Sequence, residues 1–73
     1  DGDIVVIKKS STARNNQIVV ALVDQEEATL KRIYASGNSV ELIPENKNYE
    51  TKVFGPDRVN VQGILVGLVR KYN

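Results

Sequence analysis

Lys31 is the side chain in this sequence best placed for proton chemistry. It lies in Ala28-Thr29-Leu30-Lys31-Arg32-Ile33, near the middle of the 73 residues. In an extended segment, alternate side chains share a face. Thr29, Lys31 and Ile33 then point one way, and Leu30 and Arg32 the other. If the first face looks into a sheet interior, an ammonium sits beside a hydroxyl where its charge is costly. A lysine so placed loses its proton more easily and can serve as a base near neutral pH. The competing reading is a solvated lysine beside Arg32. Taken alone, the segment favours that second reading, because lysine is almost never buried unpaired.

The elements that must position Lys31 read as β-strands. Valine and isoleucine fall in short runs broken by Gly, Asn, Pro and Asp, the pattern of an all-β domain. Asp1-Gly2-Asp3 has the look of a turn and leads into a first strand, Ile4 to Lys8. Ser10 to Asn16 is a polar connection, and Asn15-Asn16 suits a turn with positive φ. The second strand, Gln17 to Asp24, is apolar on both sides and is expected to be central and covered on both faces. Asp24 to Glu27 turns the chain into the third strand, Ala28 to Tyr34. By propensity alone, Glu26 to Tyr34 also has a helical reading, with Leu30, Ile33 and Tyr34 as its apolar side. Ser36-Gly37-Asn38 closes a hairpin onto a fourth strand, Ser39 to Ile43.

Pro44 ends that strand, because proline cannot donate to a ladder. A short strand, Glu50 to Phe54, follows a loop in which Tyr49 is expected to cover the core edge. Gly55-Pro56-Asp57 signals a turn. The last strand runs from Arg58 to about Arg70. At thirteen residues it is long for a single pairing. Gly63 and Gly67 interrupt it, so a bend at Gly63 and two different neighbours are expected. The architecture predicted is a small, strongly bent antiparallel sheet or partial barrel.

Composition excludes several function classes. The sequence holds no cysteine and no histidine, which removes disulfides, the usual zinc sites and histidine-based triads. A net charge of +1, with Lys and Arg scattered, does not make a nucleic-acid surface. No apolar run approaches the ~20 residues that span a bilayer, and no secretory signal is visible. No metal or cofactor is expected. Seventy-three residues form one small domain or part of one. The opening turn suggests a piece of something larger.

Four stretches, taken together, resemble one family. They are Asp1-Gly2-Asp3-Ile4-Val5-Val6; Ile18-Val19-Val20-Ala21 through Ala28-Thr29-Leu30-Lys31-Arg32; Val40-Glu41-Leu42-Ile43-Pro44-Glu45-Asn46; and Val61-Gln62-Gly63 through Val66-Gly67-Leu68-Val69-Arg70. Their order and spacing are similar to the C-terminal, self-cleaving (S24-type peptidase) domain of LexA-type repressors. The UmuD mutagenesis protein and phage repressors are relatives. The resemblance covers essentially the whole chain, residues 1–73, as the C-terminal part of the peptidase and dimerisation domain.

The resemblance implies a Ser–Lys dyad in which Lys31 is the general base, Thr29 its orienting partner, and a serine the nucleophile that cuts a bond in the same polypeptide. An uncharged amine is what such a serine needs. In the family that serine lies just upstream of the Asp-Gly-Asp turn, as do the cleavage segment and the DNA-binding domain. Ser10, Ser11, Ser36 and Ser39 do not match it, so these residues alone are expected to carry half a dyad and no protease activity. Asn16 stands where the family often has glycine, a change the left-handed turn tolerates.

For the parent, the resemblance implies a bacterial cytoplasmic repressor of the DNA-damage (SOS) response. It would bind operator DNA as a homodimer and cleave itself when stimulated by RecA on single-stranded DNA. The final strand, through Ile64, Val66, Leu68 and Val69, is the expected dimer contact, since a long apolar edge near a chain end needs covering. Two alternatives differ in their consequences. A UmuD-like or phage-repressor relative keeps the dyad with a different N-terminal arm. A non-catalytic β interaction module leaves Lys31 solvated.

Overall fold

The computed structural model describes residues 3–70. Asp1 and Gly2, and with them most of the expected opening turn, lie outside the described residues. The β-branched runs become six strands: β1 Asp3–Lys9, β2 Ile18–Val23, β3 Glu27–Ser36, β4 Ser39–Ile43, β5 Lys52–Phe54 and β6 Val59–Arg70. They form one antiparallel sheet in the order β1-β6-β2-β3-β4-β5, open rather than closed into a barrel.

Residues 26–34 are extended, so the helical reading does not hold. Pairing on both sides of β3 supplies the ladder hydrogen bonds that outweigh local propensity. β5 is shorter than expected. Glu50 and Thr51 stay in the connection, because the β4–β5 ladder begins only at Leu42 opposite Lys52. Arg58 also leaves the last strand, and joins Pro56 and Asp57 in a 3₁₀ turn.

The turns carry the left-handed residues that tight reversals require. Gly37 (φ 56°) closes the β3–β4 hairpin, and Asn16 (φ 74°) precedes β2. Two further positive values fall at Asp24 (55°) and Gln25 (61°), in the turn closed by the Glu26 N–H donating to the Val23 carbonyl at 3.1 Å. Gln25 is the unexpected one, since a long side chain is disfavoured there.

The core lies on one face of the sheet. Val19 and Ala21 of β2 are wholly buried, joined by Ile33, Val40 and Leu42. Burying Val19 contributes roughly 1.5–3 kcal/mol. Phe54, Val59, Val61 and Ile64 pack at the margin. β2 is central, as expected, but it is fully covered on this face only. Ile18, Val20 and Leu22, on its other face, are half-buried, because no second layer lies across them among the described residues.

β6 serves two neighbours. Val59 to Ile64 pairs with β2, and Gly63 to Arg70 pairs with β1. The register steps from Val20↔Gly63 to Ala21↔Val61, and again from Val6↔Gly67 to Ile7↔Leu65. Gln62 and Val66 are thus the extra residues of two bulges. At Gly63 a Cβ would overlap Cγ2 of Ile7 and lie 3.0 Å from the Lys8 carbonyl oxygen. The expected glycine is therefore a close approach of strand β1. Beyond Ile64 the sheet narrows to a two-stranded ribbon of β1 and the end of β6. Its apolar side chains, Ile4 to Ile7 with Val66, Leu68 and Val69, are exposed on both faces.

Candidate functional site

β3 turns Thr29, Lys31 and Ile33 to the core face, as alternation requires. Its register sets Lys31 opposite Val19, and Thr29 opposite Ala21. Both partners are fully buried, and both Thr29 and Lys31 are half-buried. Ile33 meets Leu42 across the β3–β4 ladder. Arg32 points the other way and is held there. Its guanidinium donates to the Asn16 carbonyl and pairs with Glu45 at 2.9 Å. The neighbouring basic residues thus occupy opposite faces: Arg32 ties a loop to the sheet, and Lys31 lines an apolar wall.

A groove forms where the sheet loses a strand. β4 stops at Ile43 because Pro44 follows, and the chain loops through 44–51 before returning as β5. Lys31, Thr29, Val23, Leu42, Tyr49 and Phe54 line a cavity of about 450 Å³ between the loop and the sheet. Glu27, Glu50 and Lys52 add charges to it. Tyr49 stands at this wall with 69% of its surface exposed. It therefore lines the groove from the loop side and leaves most of its surface in solvent, so it covers the core edge less than expected. From Lys31 to Glu27 the groove follows four residues of β3, roughly 13 Å at strand rise.

The far end of the groove is pinned by Arg58. Its Nε donates to Asp24 Oδ1 at 2.8 Å and its Nη2 to Oδ2 at 2.6 Å. The Asp24 N–H donates in turn to the Arg58 carbonyl at 2.8 Å. The guanidinium carbon lies 5.0 Å from the centre of the Phe54 ring. The Arg58 hydrogen bonds hold the Asp24 carboxyl below its ordinary value of 3.8, and the carboxylate in turn raises Arg58.

The other candidate residues divide. Among the described residues no hydrogen bond joins Thr29 to Lys31. Ser36 is five positions along β3 from Lys31, roughly 16 Å, and pairs with Ser39 at the hairpin end. Ser10 and Ser11 follow β1, whose Lys8 is reached from Lys31 only across Val19 and Ile64, roughly 14 Å at strand spacing. Of the expected dimer contacts, Val66, Leu68 and Val69 are half or more exposed. Ile64 instead packs against the core opposite Val19, because it precedes the point where β6 leaves β2. The flank of β6 from Leu65 onward has a strand partner on one side only, β1, among the described residues.

Sequence reasoning missed the groove's outer wall and the Arg58 anchor. The wall follows from Pro44, whose local signal is only that of a strand end. Asp24 and Arg58 are 34 positions apart, with nothing in their local patterns to couple them.

The chain belongs to the Peptidase S24-like family, whose model matches residues 1–66. The family is one of self-cleaving serine peptidases. The LexA repressor of Pelagibacter ubique (strain HTCC1062) is 60% identical over 72 residues, 99% of this chain and 32% of that protein. The chain therefore spans about a third of the length of that curated relative. Among the described residues no helix is long and apolar enough to cross a membrane.

Proposed function

We propose that this chain is the C-terminal portion of a LexA-type repressor of the DNA-damage response and supplies the base of a self-cleaving Ser–Lys dyad. The observation that carries the reading is the place of Lys31: half-buried in a groove, across from the fully buried Val19, with Thr29 on the same face.

In this reading a serine from outside residues 1–73 is the nucleophile, since Ser10, Ser11, Ser36 and Ser39 lie far from Lys31. Lys31 takes the proton from the serine Oγ as it attacks the scissile carbonyl. The resulting ammonium then gives that proton to the leaving amine, and water hydrolyses the acyl-serine. The groove holds the cleavable segment of the same polypeptide against Lys31. Thr29 directs the amine when the serine and the segment are in place. The parent binds operator DNA through an N-terminal domain, is triggered by RecA on single-stranded DNA, and dimerises through the exposed end of β6 at Val66, Leu68 and Val69.

The test uses the complete protein. Lys31→Ala abolishes self-cleavage at raised pH and leaves operator binding intact. Lys31→Arg is equally inactive, because a guanidinium does not give up its proton. Self-cleavage by either variant would overturn the dyad.

A further inference from the structure

We infer that Arg58 is a positioning residue for the cleavable segment: it fixes the groove wall made by Phe54 and Val23, the latter opposite Glu27, four residues along β3 from Lys31. The inference rests on the groove being the seat of that segment, as proposed above.

Three elements meet at Arg58. Its side chain grips both oxygens of Asp24 in the β2–β3 turn, and its backbone accepts from the same residue. Its cation covers one face of the Phe54 ring at the end of β5. Phe54 and Val23 both line the groove, and Val23 directly precedes Asp24. β5 has only three residues and is a sheet edge, so its own ladder anchors it weakly. Without the Arg58 side chain, the Phe54 ring loses its backing, and the turn keeps only its backbone bond to the Arg58 carbonyl and the Val23–Val59 pairing. The fork of two parallel hydrogen bonds with a stacked ring is a geometry that lysine cannot reproduce.

The consequence is specific. Arg58 touches neither the base nor the scissile bond, so it acts on how the segment is held and leaves the chemical step alone. The substrate in the test is full-length Lys31→Ala protein, cleaved in trans by the complete, otherwise intact protein. Arg58→Met raises KM about fivefold, the loss expected for one cation–π contact and its supporting pair. It leaves kcat within about twofold and the pH midpoint unchanged, as befits a residue remote from the base. Phe54→Leu does the same, and the double variant is no worse than either single one, because both act through the same ring.

Wild-type KM in Arg58→Met, or additive losses with Phe54→Leu, would overturn the inference. If Arg58→Met does not fold by circular dichroism, Asp24→Asn cuts the same anchor from the turn. An unchanged KM there is equally fatal. Failure of the dyad reading shows separately, as residual self-cleavage of the Lys31→Ala substrate with no enzyme added.

Discussion

Replacing Gly63 by alanine places a methyl group where strand β1 crosses closest to β6. Two terms compete. Alanine restricts the unfolded chain, which favours folding by about 0.5–1 kcal/mol. Against this, the new Cβ overlaps Cγ2 of Ile7 and stands 3.0 Å from the Lys8 carbonyl oxygen. Ile7 is 36% exposed, so its side chain can swing aside. The carbonyl belongs to a backbone held in the β1–β6 ladder and cannot. Forcing such a contact costs about 1–3 kcal/mol. The clash outweighs the entropic gain, for a net loss centred on ~1 kcal/mol and at most ~2.5 kcal/mol. At this size each kcal/mol shifts Tm by about 4–8 °C.

Gly67→Ala is the internal control. Its Cβ would meet Val6 at 3.8 Å, an ordinary contact, so the entropic term stands alone and stability is unchanged or rises by up to ~1 kcal/mol. Urea denaturation followed by circular dichroism reads both variants. If Gly63→Ala matches the wild type, or both substitutions cost the same, the close approach at Gly63 does not exist.

Two further predictions concern the β2–β3 turn. Gln25 holds φ 61°, so Gln25→Gly relieves left-handed strain and stabilises the fold by up to ~1 kcal/mol; a loss of stability in the same urea assay would contradict that backbone assignment. Because Arg58 holds the folded Asp24 carboxyl below its ordinary 3.8, the pair's contribution is complete above that pH and fades as pH falls through the lowered folded value. Below about pH 4 the unfolded state binds the extra proton, so stability rises with pH there. Asp24→Asn should flatten this limb, seen as a smaller change in urea midpoint between acid and neutral solution; an unaltered limb would assign it to other carboxylates.

Local pattern alone determined much of this molecule. The β-branched runs and their Gly, Asn and Pro breaks place all six strands almost to the residue, except at the end of β3 and the start of β5. They do so because strand period and turn stereochemistry are short-range properties. The facing of Thr29, Lys31 and Ile33 was legible for the same reason: a period of two needs only extended backbone. The role implied for Lys31 came from resemblance to a family, since no spacing of residues in this sequence identifies a general base by itself.

Only the tertiary structure decided the rest. Whether β2 is covered on one face or two depends on which layers exist, and the sequence of β2 reads the same in either case. That Gly63 meets Ile7 and Lys8, that Ile64 faces the core while Val66 does not, and that Arg58 reaches Asp24 across 34 positions are outcomes of register and bulges. Those are settled by pairing between strands far apart in the chain, where no local propensity reaches. The groove beside Lys31 is of this kind. It exists because Pro44 ends β4 one strand short of the edge, and the returning loop does not refill the space.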